Sequence, residues 1–200
     1  MGYHEWHGRP GCYNDYVRHF RPDSRLLDVG CGTAWLSEFF PEYVGLDNAA
    51  STVQAAKAQG IDVRLADLEG KLPVKDAQFD GAILKDVLEH LLDPVSLVRE
   101  VHRALKPGGR VFASSPDAQR WSWNDYTHRR PWTRTAMRRL FADQGFHVRT
   151  VSYESVMPGT GLVSGWFPSK RRPWPLRAAA WLPGWRRNVW ILAERPGSAA

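Results

Sequence analysis

The sequence predicts an α/β fold, a Rossmann-like doubly wound and mostly parallel sheet, in one domain over residues 1–200. Two observations carry this. Short apolar runs that read as buried strands alternate with helix-length periodic segments, the pattern of βαβ units. The first of those runs, Leu26 to Val29, passes straight into a glycine turn, Gly30-Cys31-Gly32.

The elements follow in order. A polar and aromatic N-terminal stretch, 1–23, holds a helical segment from about Tyr13 to Phe20. Leu26 to Val29 is the first strand. Ala34 to Phe40 reads as a helix stopped by Pro41. Tyr43 to Leu46 is a strand ending at Asp47, Ala49 to Gln59 a helix closed by Gly60, and Ile61 to Ala66 a strand ending at Asp67. Phe79 to Leu84 is the fourth strand. Pro94 to Lys106 places Val95, Leu97, Val98, Val101 and Leu105 at helical spacing, with Asp93 as cap and Pro107-Gly108-Gly109 as stop. Arg110 to Ser114 is the fifth strand, Trp132 to Gln144 a helix stopped by Gly145, and Phe146 to Tyr153 and Asn188 to Glu194 the last two strands. The stretch between these, 155–187, reads as an insertion.

Composition narrows the function. With 43% hydrophobic and 24% charged residues the chain is globular. No apolar run reaches the roughly 20 residues of a membrane span, so no stable membrane insertion is expected. MGYHEWHGRP lacks an apolar segment and does not read as a secretory signal. Two cysteines make no disulfide framework, which points to a reducing, cytoplasmic setting. Charge is asymmetric: residues 1–100 carry 10 Lys+Arg against 16 Asp+Glu, a net of −6, and residues 101–200 carry 17 against 5, a net of +12.

Ligands of doubly wound sheets bind beyond the carboxyl ends of the strands. Asp28, Asp47 and Asp67 stand at three consecutive such ends. A carboxylate at Asp47 accepts from a ribose diol, and one at Asp67 meets the exocyclic amine of a purine. Acids oppose a pyrophosphate, which calls for donors and positive charge. Trp35 also occupies the third glycine position of the dinucleotide fingerprint. A nucleoside without phosphates therefore fits better than NAD.

LLDVGCGTAWL, VGLDNA, LADLEGKLPVKDAQFDGAILKDVLEHLLDP and LVREVHRALKPGGRVFASSP together resemble the class I S-adenosylmethionine-dependent methyltransferases, over about residues 24–153 and again 188–195. The resemblance implies a seven-stranded sheet with an antiparallel last strand. It implies S-adenosylmethionine as cofactor, with Gly30 and Gly32 at its methionine part and Asp28 beside them. Asp47 is assigned to the ribose, Asp67 with Leu68 to the adenine, Asn48 to the cofactor site, and Lys85 to the boundary of cofactor and acceptor. Cys31 reads as a small turn residue and not as a nucleophile.

Methyl transfer is an in-line displacement that depends mainly on proximity, with a base only where the acceptor must lose a proton. Candidates are His90, in Asp86-Val87-Leu88-Glu89-His90, and His128 with Asp125, in the loop Asn124 to Trp132. In the same loop Tyr126 and Arg129 are candidate substrate contacts. The seven His show no i, i+4 pair with a carboxylate and no Cys-x-x-Cys is present, so no metal is expected. The insertion holds Lys170, Arg171, Arg172, Arg177, Arg186 and Arg187 and no acid. With Trp166 and Trp174 it reads as an acceptor-side lid for a flat or anionic small molecule. The expected activity is transfer to a hydroxyl or amine in secondary-metabolite or sugar biosynthesis, by a monomer or homodimer without nucleic acid. The alternatives are an inactive or partner-activating cofactor-binding protein, or a methyltransferase acting at a membrane or on RNA.

Overall fold

The computed structural model describes residues 14–155 and 186–197. Its strands are β1 (Leu26–Val29), β2 (Tyr43–Asp47), β3 (Val63–Leu65), β4 (Phe79–Lys85), β5 (Leu105–Pro116), β6 (His147–Ser155) and β7 (Arg186–Glu194). Its α-helices are α1 (Asn14–Val17), α2 (Ala50–Ala58), α3 (Pro94–Ala104) and α4 (Arg134–Asp143). The seven strands form one sheet in the order β3-β2-β1-β4-β5-β7-β6. β1 through β5 pair in parallel, and β7 runs antiparallel to both β5 and β6.

Both faces of the sheet are covered, which is why the strands read as continuous apolar runs. Successive side chains point to opposite faces. Leu27, Val29, Ala82, Leu84, Val111 and Ala113 pack on one side with Leu97, Val101, Met137 and Phe141 of α3 and α4. Leu26, Ile83 and Phe112 pack on the other with Tyr16, Leu36, Val53 and Ala56. On that second side Phe112 stacks between Tyr16, at 4.8 Å, and Trp190, at 5.7 Å.

Local chemistry sets the element ends. Asp93 Oδ1 accepts from Val95 N and Ser96 N, both at 3.1 Å, and Pro94 opens α3. Such a cap stabilises a helix by about 1 kcal/mol.

Three expected elements differ. The expected helix Ala34 to Phe40 is a single 3-10 turn, Trp35–Glu38, because the left-handed Ala34 leaves too little chain before Pro41 for more. Of the expected N-terminal helix, Tyr13 lies outside the described residues, and the described part is helical over Asn14–Val17. The fifth strand begins at Leu105 and not at Arg110. The Pro107-Gly108-Gly109 run lies inside it as an irregularity in its pairing with β4, with Gly108 at φ +80°. Apart from its ends at β6 and β7, the expected insertion 155–187 lies outside the described residues, as do Trp166 and Trp174.

Candidate functional site

The strand order reverses at β1, which pairs with β2 on one edge and β4 on the other. Loops leaving a sheet at such a point diverge and leave a crevice. A cleft of about 640 Å³ opens there, within the size range of small-molecule sites. Two sets of residues line it: a first, Asp28, Gly30, Gly32, Asp47, Asn48 and Leu68, from the ends of β1 to β3, and a second, Lys85, Asp86, His90 and Thr127, from the end of β4 and the loops beyond.

Backbone geometry builds the first end. Gly30 and Gly32 hold φ of +71° and +51°. A Cβ on Gly30 would stand 2.5 Å from Val87 Cγ2, so only glycine fits, whereas Gly32 faces open space. The amides of Gly30 and Cys31 both donate to Leu46 O, at 2.8 and 3.0 Å, which ties the turn to the end of β2. Asp47 is fixed in turn: its Oδ2 accepts from Gly32 N and its Oδ1 from Ala49 N, each at 2.9 Å. A carboxylate has about four acceptor positions, so each oxygen retains capacity for a ligand hydroxyl. Asp28 is buried and accepts from Tyr43 Oη at 2.8 Å. Burial, reinforced by the charge of Asp47, pushes its carboxyl up to about 7 even though the Tyr43 bond pulls the other way. Burial also pushes the Cys31 thiol up, away from any nucleophilic role.

Side chains from distant segments build the second end. Lys85 pairs with Asp86 at the tip of β4. Asp86 takes a left-handed φ of +53°. Its Oδ1 lies 3.4 Å from Ser114 Oγ and from Asn188 Nδ2, donors on β5 and β7. Glu89 is fully buried. Its Oε2 accepts from Ser115 Oγ at 2.9 Å, and its main-chain oxygen accepts from the amides of Arg129 and Arg130 at 2.8 and 3.2 Å. Burial, with Asp86 nearby, holds the Glu89 carboxyl well above its usual range. Asp125 accepts from the amide and the hydroxyl of Thr127 at 2.9 and 2.6 Å, and these bonds hold its carboxyl below the usual range. Thr127 then receives the ring of His90, whose Nδ1 lies 3.3 Å from Thr127 O and 3.2 Å from Oγ1. Burial foremost lowers the pKa of His90.

The profile of the methyltransferase domain family matches residues 6–151. The chain belongs to this family, and S-adenosylmethionine is the cofactor that goes with it. It is 33% identical over 102 residues to a ubiquinone biosynthesis O-methyltransferase of Xanthomonas oryzae pv. oryzae, covering 46% of this chain and 43% of that one. The corresponding protein of Xylella fastidiosa is 34% identical over 113 residues, covering 50% and 46%. The chain thus spans about half the length of the curated relatives it matches. In fold it is similar to a SAM-dependent methyltransferase from Archaeoglobus fulgidus, with a TM-score of 0.72 at 17% identity over 90% of each chain.

The first end of the cleft fits the cofactor. Asp47 offers paired acceptors of the kind a ribose diol needs. Asp28 offers a carboxylate to the positive sulfonium and ammonium groups, and Gly32 leaves open space where a Cβ would intrude.

Most cofactor residues expected from the sequence, namely Asp28, Gly30, Gly32, Asp47, Asn48, Leu68 and Lys85, come together on this one cleft. Asp67 does not. It is exposed and stands outside the lining, and its Oδ1 accepts from Glu69 N at 2.9 Å, closing a turn. His128 is also off the wall. Its Nδ1 lies 2.6 Å from Ser122 O and its Nε2 3.7 Å from Asp125 Oδ2, so the ring is spent on holding its own loop. Of the expected catalytic residues only His90 lines the cleft, and Asp125 acts on it through Thr127. Tyr126 is 97% exposed, and Arg129 touches Glu89 through its backbone. Asp86 and Thr127 were not singled out in the sequence. Asp86 had a usable signal in its place directly after Lys85 at a strand end; Thr127 had none.

Proposed function

We propose that this chain transfers the methyl group of S-adenosylmethionine to a hydroxyl or amine of a small molecule, within secondary-metabolite or sugar biosynthesis. The observation that carries this reading is that one cleft gathers Asp28 and Asp47, suited to the cofactor, together with Lys85, Asp86 and His90, which we assign to the acceptor. Lining of this kind suits a compact acceptor that places one polar atom against the methyl group, since proximity supplies much of the acceleration. Lys85, Asp86 and His90 orient that atom, and Asp86 or His90 takes its proton. The relatives named as ubiquinone biosynthesis O-methyltransferases support an oxygen acceptor first.

The test is transfer of radiolabelled methyl from S-adenosylmethionine to a panel of small phenols, catechols, sugars and amines. Label in a phenol, sugar or amine product supports the reading. Tight cofactor binding with no transfer to any of them, and transfer to RNA or lipid instead, overturns it.

A further inference from the structure

We propose that Tyr43 is a positioning residue for the cofactor: from beneath the cleft its hydroxyl holds the Asp28 carboxylate in place for the ammonium group of S-adenosylmethionine. The inference rests on Asp28 facing the amino-acid part of the cofactor, and not on which acceptor is methylated. Asp28 lines the cleft, whereas Tyr43 is not part of its wall. Tyr43 Oη donates to Asp28 Oδ2 at 2.8 Å, and both residues are buried. Tyr43 therefore acts on a ligand only through Asp28.

The sheet explains how the two side chains meet. Asp28 of β1 stands opposite Gly45 of β2 in the parallel register. Tyr43 and Gly45 are two positions apart on one strand, so they share a face. A Cβ on Gly45 would stand 2.9 Å from Tyr43 Oη and 2.8 Å from Cys31 Sγ. The phenol thus lies along β2 across the bare glycine and arrives beside the carboxylate of the neighbouring strand. Its ring belongs to the apolar cluster of Leu26, Leu36 and Phe40, which restrains it.

The electrostatic surroundings give this bond its weight. The titratable groups that face Asp28 are Tyr43 and Asp47 from β2, Cys31 from the glycine turn and Lys85 from β4. Burial disfavours the Asp28 charge most, and Asp47 adds to that, while Tyr43 and Lys85 favour it. Lys85 is already paired with Asp86. Burial foremost, and then the charge of Asp28, pushes the Tyr43 phenol upward, so it stays a donor throughout the neutral range. A hydroxyl donor favours the ionised carboxylate, the form that attracts an ammonium group.

The consequence is a selection among adenosine compounds by charge. S-adenosylmethionine and S-adenosylhomocysteine both carry the ammonium group. 5′-Methylthioadenosine keeps adenine, ribose and sulfur but lacks the whole amino-acid part. Tyr43 therefore governs binding of the first two and leaves the third alone. Without the hydroxyl the ionised form of Asp28 loses support, so at neutral pH a larger share of the protein holds a proton where the ammonium group should pair. That share shrinks as pH rises, and the loss of affinity fades with it.

The test is calorimetry on Tyr43→Phe, which removes one oxygen and keeps the ring. S-adenosylhomocysteine should bind about tenfold more weakly at pH 6.5, with the gap narrowing to about twofold by pH 8.5. 5′-Methylthioadenosine should bind within about twofold of the unsubstituted protein at both. In an Asp28→Asn background, itself weakened for S-adenosylhomocysteine, Tyr43→Phe should add no more than about twofold, since the two act as one unit. Gly45→Ala crowds the hydroxyl away from Asp28 and should copy the pattern; it decides the matter where Tyr43→Phe does not melt cooperatively. Unchanged S-adenosylhomocysteine affinity in Asp28→Asn overturns the assignment of Asp28 and the proposal with it. Where Asp28→Asn weakens binding, a folded Tyr43→Phe that leaves it unchanged, or that weakens both ligands alike at every pH, overturns the proposal alone.

Discussion

The two ends of the cleft are held in different ways. At the cofactor end main-chain groups do the holding: the amides of Gly32 and Ala49 fix Asp47, and Leu46 O anchors the glycine turn. At the acceptor end side chains hold one another across long separations. Asn188 reaches Asp86, Ser115 reaches Glu89, and Thr127 positions His90. A backbone-built site serves one invariant ligand. A site assembled from side chains on separate loops changes its acceptor with few substitutions, which is how one fold hosts many chemistries.

The contrast predicts that damage at one end spares the other. The largest effect is expected at Asp86. Asp86→Asn keeps a residue tolerant of left-handed backbone but removes the carboxylate. It should lower kcat by about a hundred- to ten-thousandfold in the transfer assay while calorimetry finds cofactor affinity unchanged. A matching loss of cofactor affinity would erase the division between the ends.

Gly30→Ala probes the other side. The added Cβ meets Val87 Cγ2 at 2.5 Å in a backbone of φ +71°, and together these should destabilise the fold by roughly 2–5 kcal/mol. Gly60→Ala is the control, since Gly60 has a similar φ of +75° and open space around it; it should cost about 1–2 kcal/mol. Equal costs in thermal melts would deny the clash its part.

Asp28 gives a pH dependence confined to the cofactor end. Its proton stays on in the folded chain up to about pH 7 but leaves an ordinary Asp near 3.8. The folded state therefore binds the extra proton, and stability without cofactor falls as pH rises through that window. A positively charged cofactor favours the ionised carboxylate, so binding should release a proton and tighten by up to about tenfold from pH 6 to pH 8. Asp28→Asn should flatten both trends, as followed by melts and by calorimetry in buffers of different ionisation enthalpy.

The smallest effect is expected at Asp67. An exposed carboxylate that only closes a turn with Glu69 N should change cofactor affinity on Asp67→Ala by less than about 0.5 kcal/mol, roughly twofold. A larger loss would return the adenine contact to it.

Legibility in the sequence follows the same division. The glycine turn and Asp47 are close in the chain and set by strand ends, so hydrophobic runs and punctuation locate them. α3 was readable for the same reason, with Asp93, Pro94 and the Leu97, Val98, Val101 stripe all local. The acceptor end depends on which loop tip meets which, and no periodicity encodes that. His128 and His90 look alike in sequence; only the Ser122 carbonyl and the cleft wall tell them apart. Asp67 stands apart from the cleft lining for a related reason, because a residue at a strand end can turn outward once a two-residue bond to Glu69 N is available. The Pro107-Gly108-Gly109 run misled because glycine at positive φ serves a strand irregularity as readily as a helix stop.

Asp47 tests the central claim most directly, that backbone-held carboxylates at the switch point bind the ribose of S-adenosylmethionine. Calorimetry with S-adenosylhomocysteine on Asp47→Ala should show affinity weakened by about 1.5–3 kcal/mol, the worth of hydrogen bonds to a charged group, in a chain that still melts cooperatively. Affinity within about twofold of the unsubstituted protein, a change of no more than about 0.5 kcal/mol, would contradict the assignment and place the cofactor elsewhere.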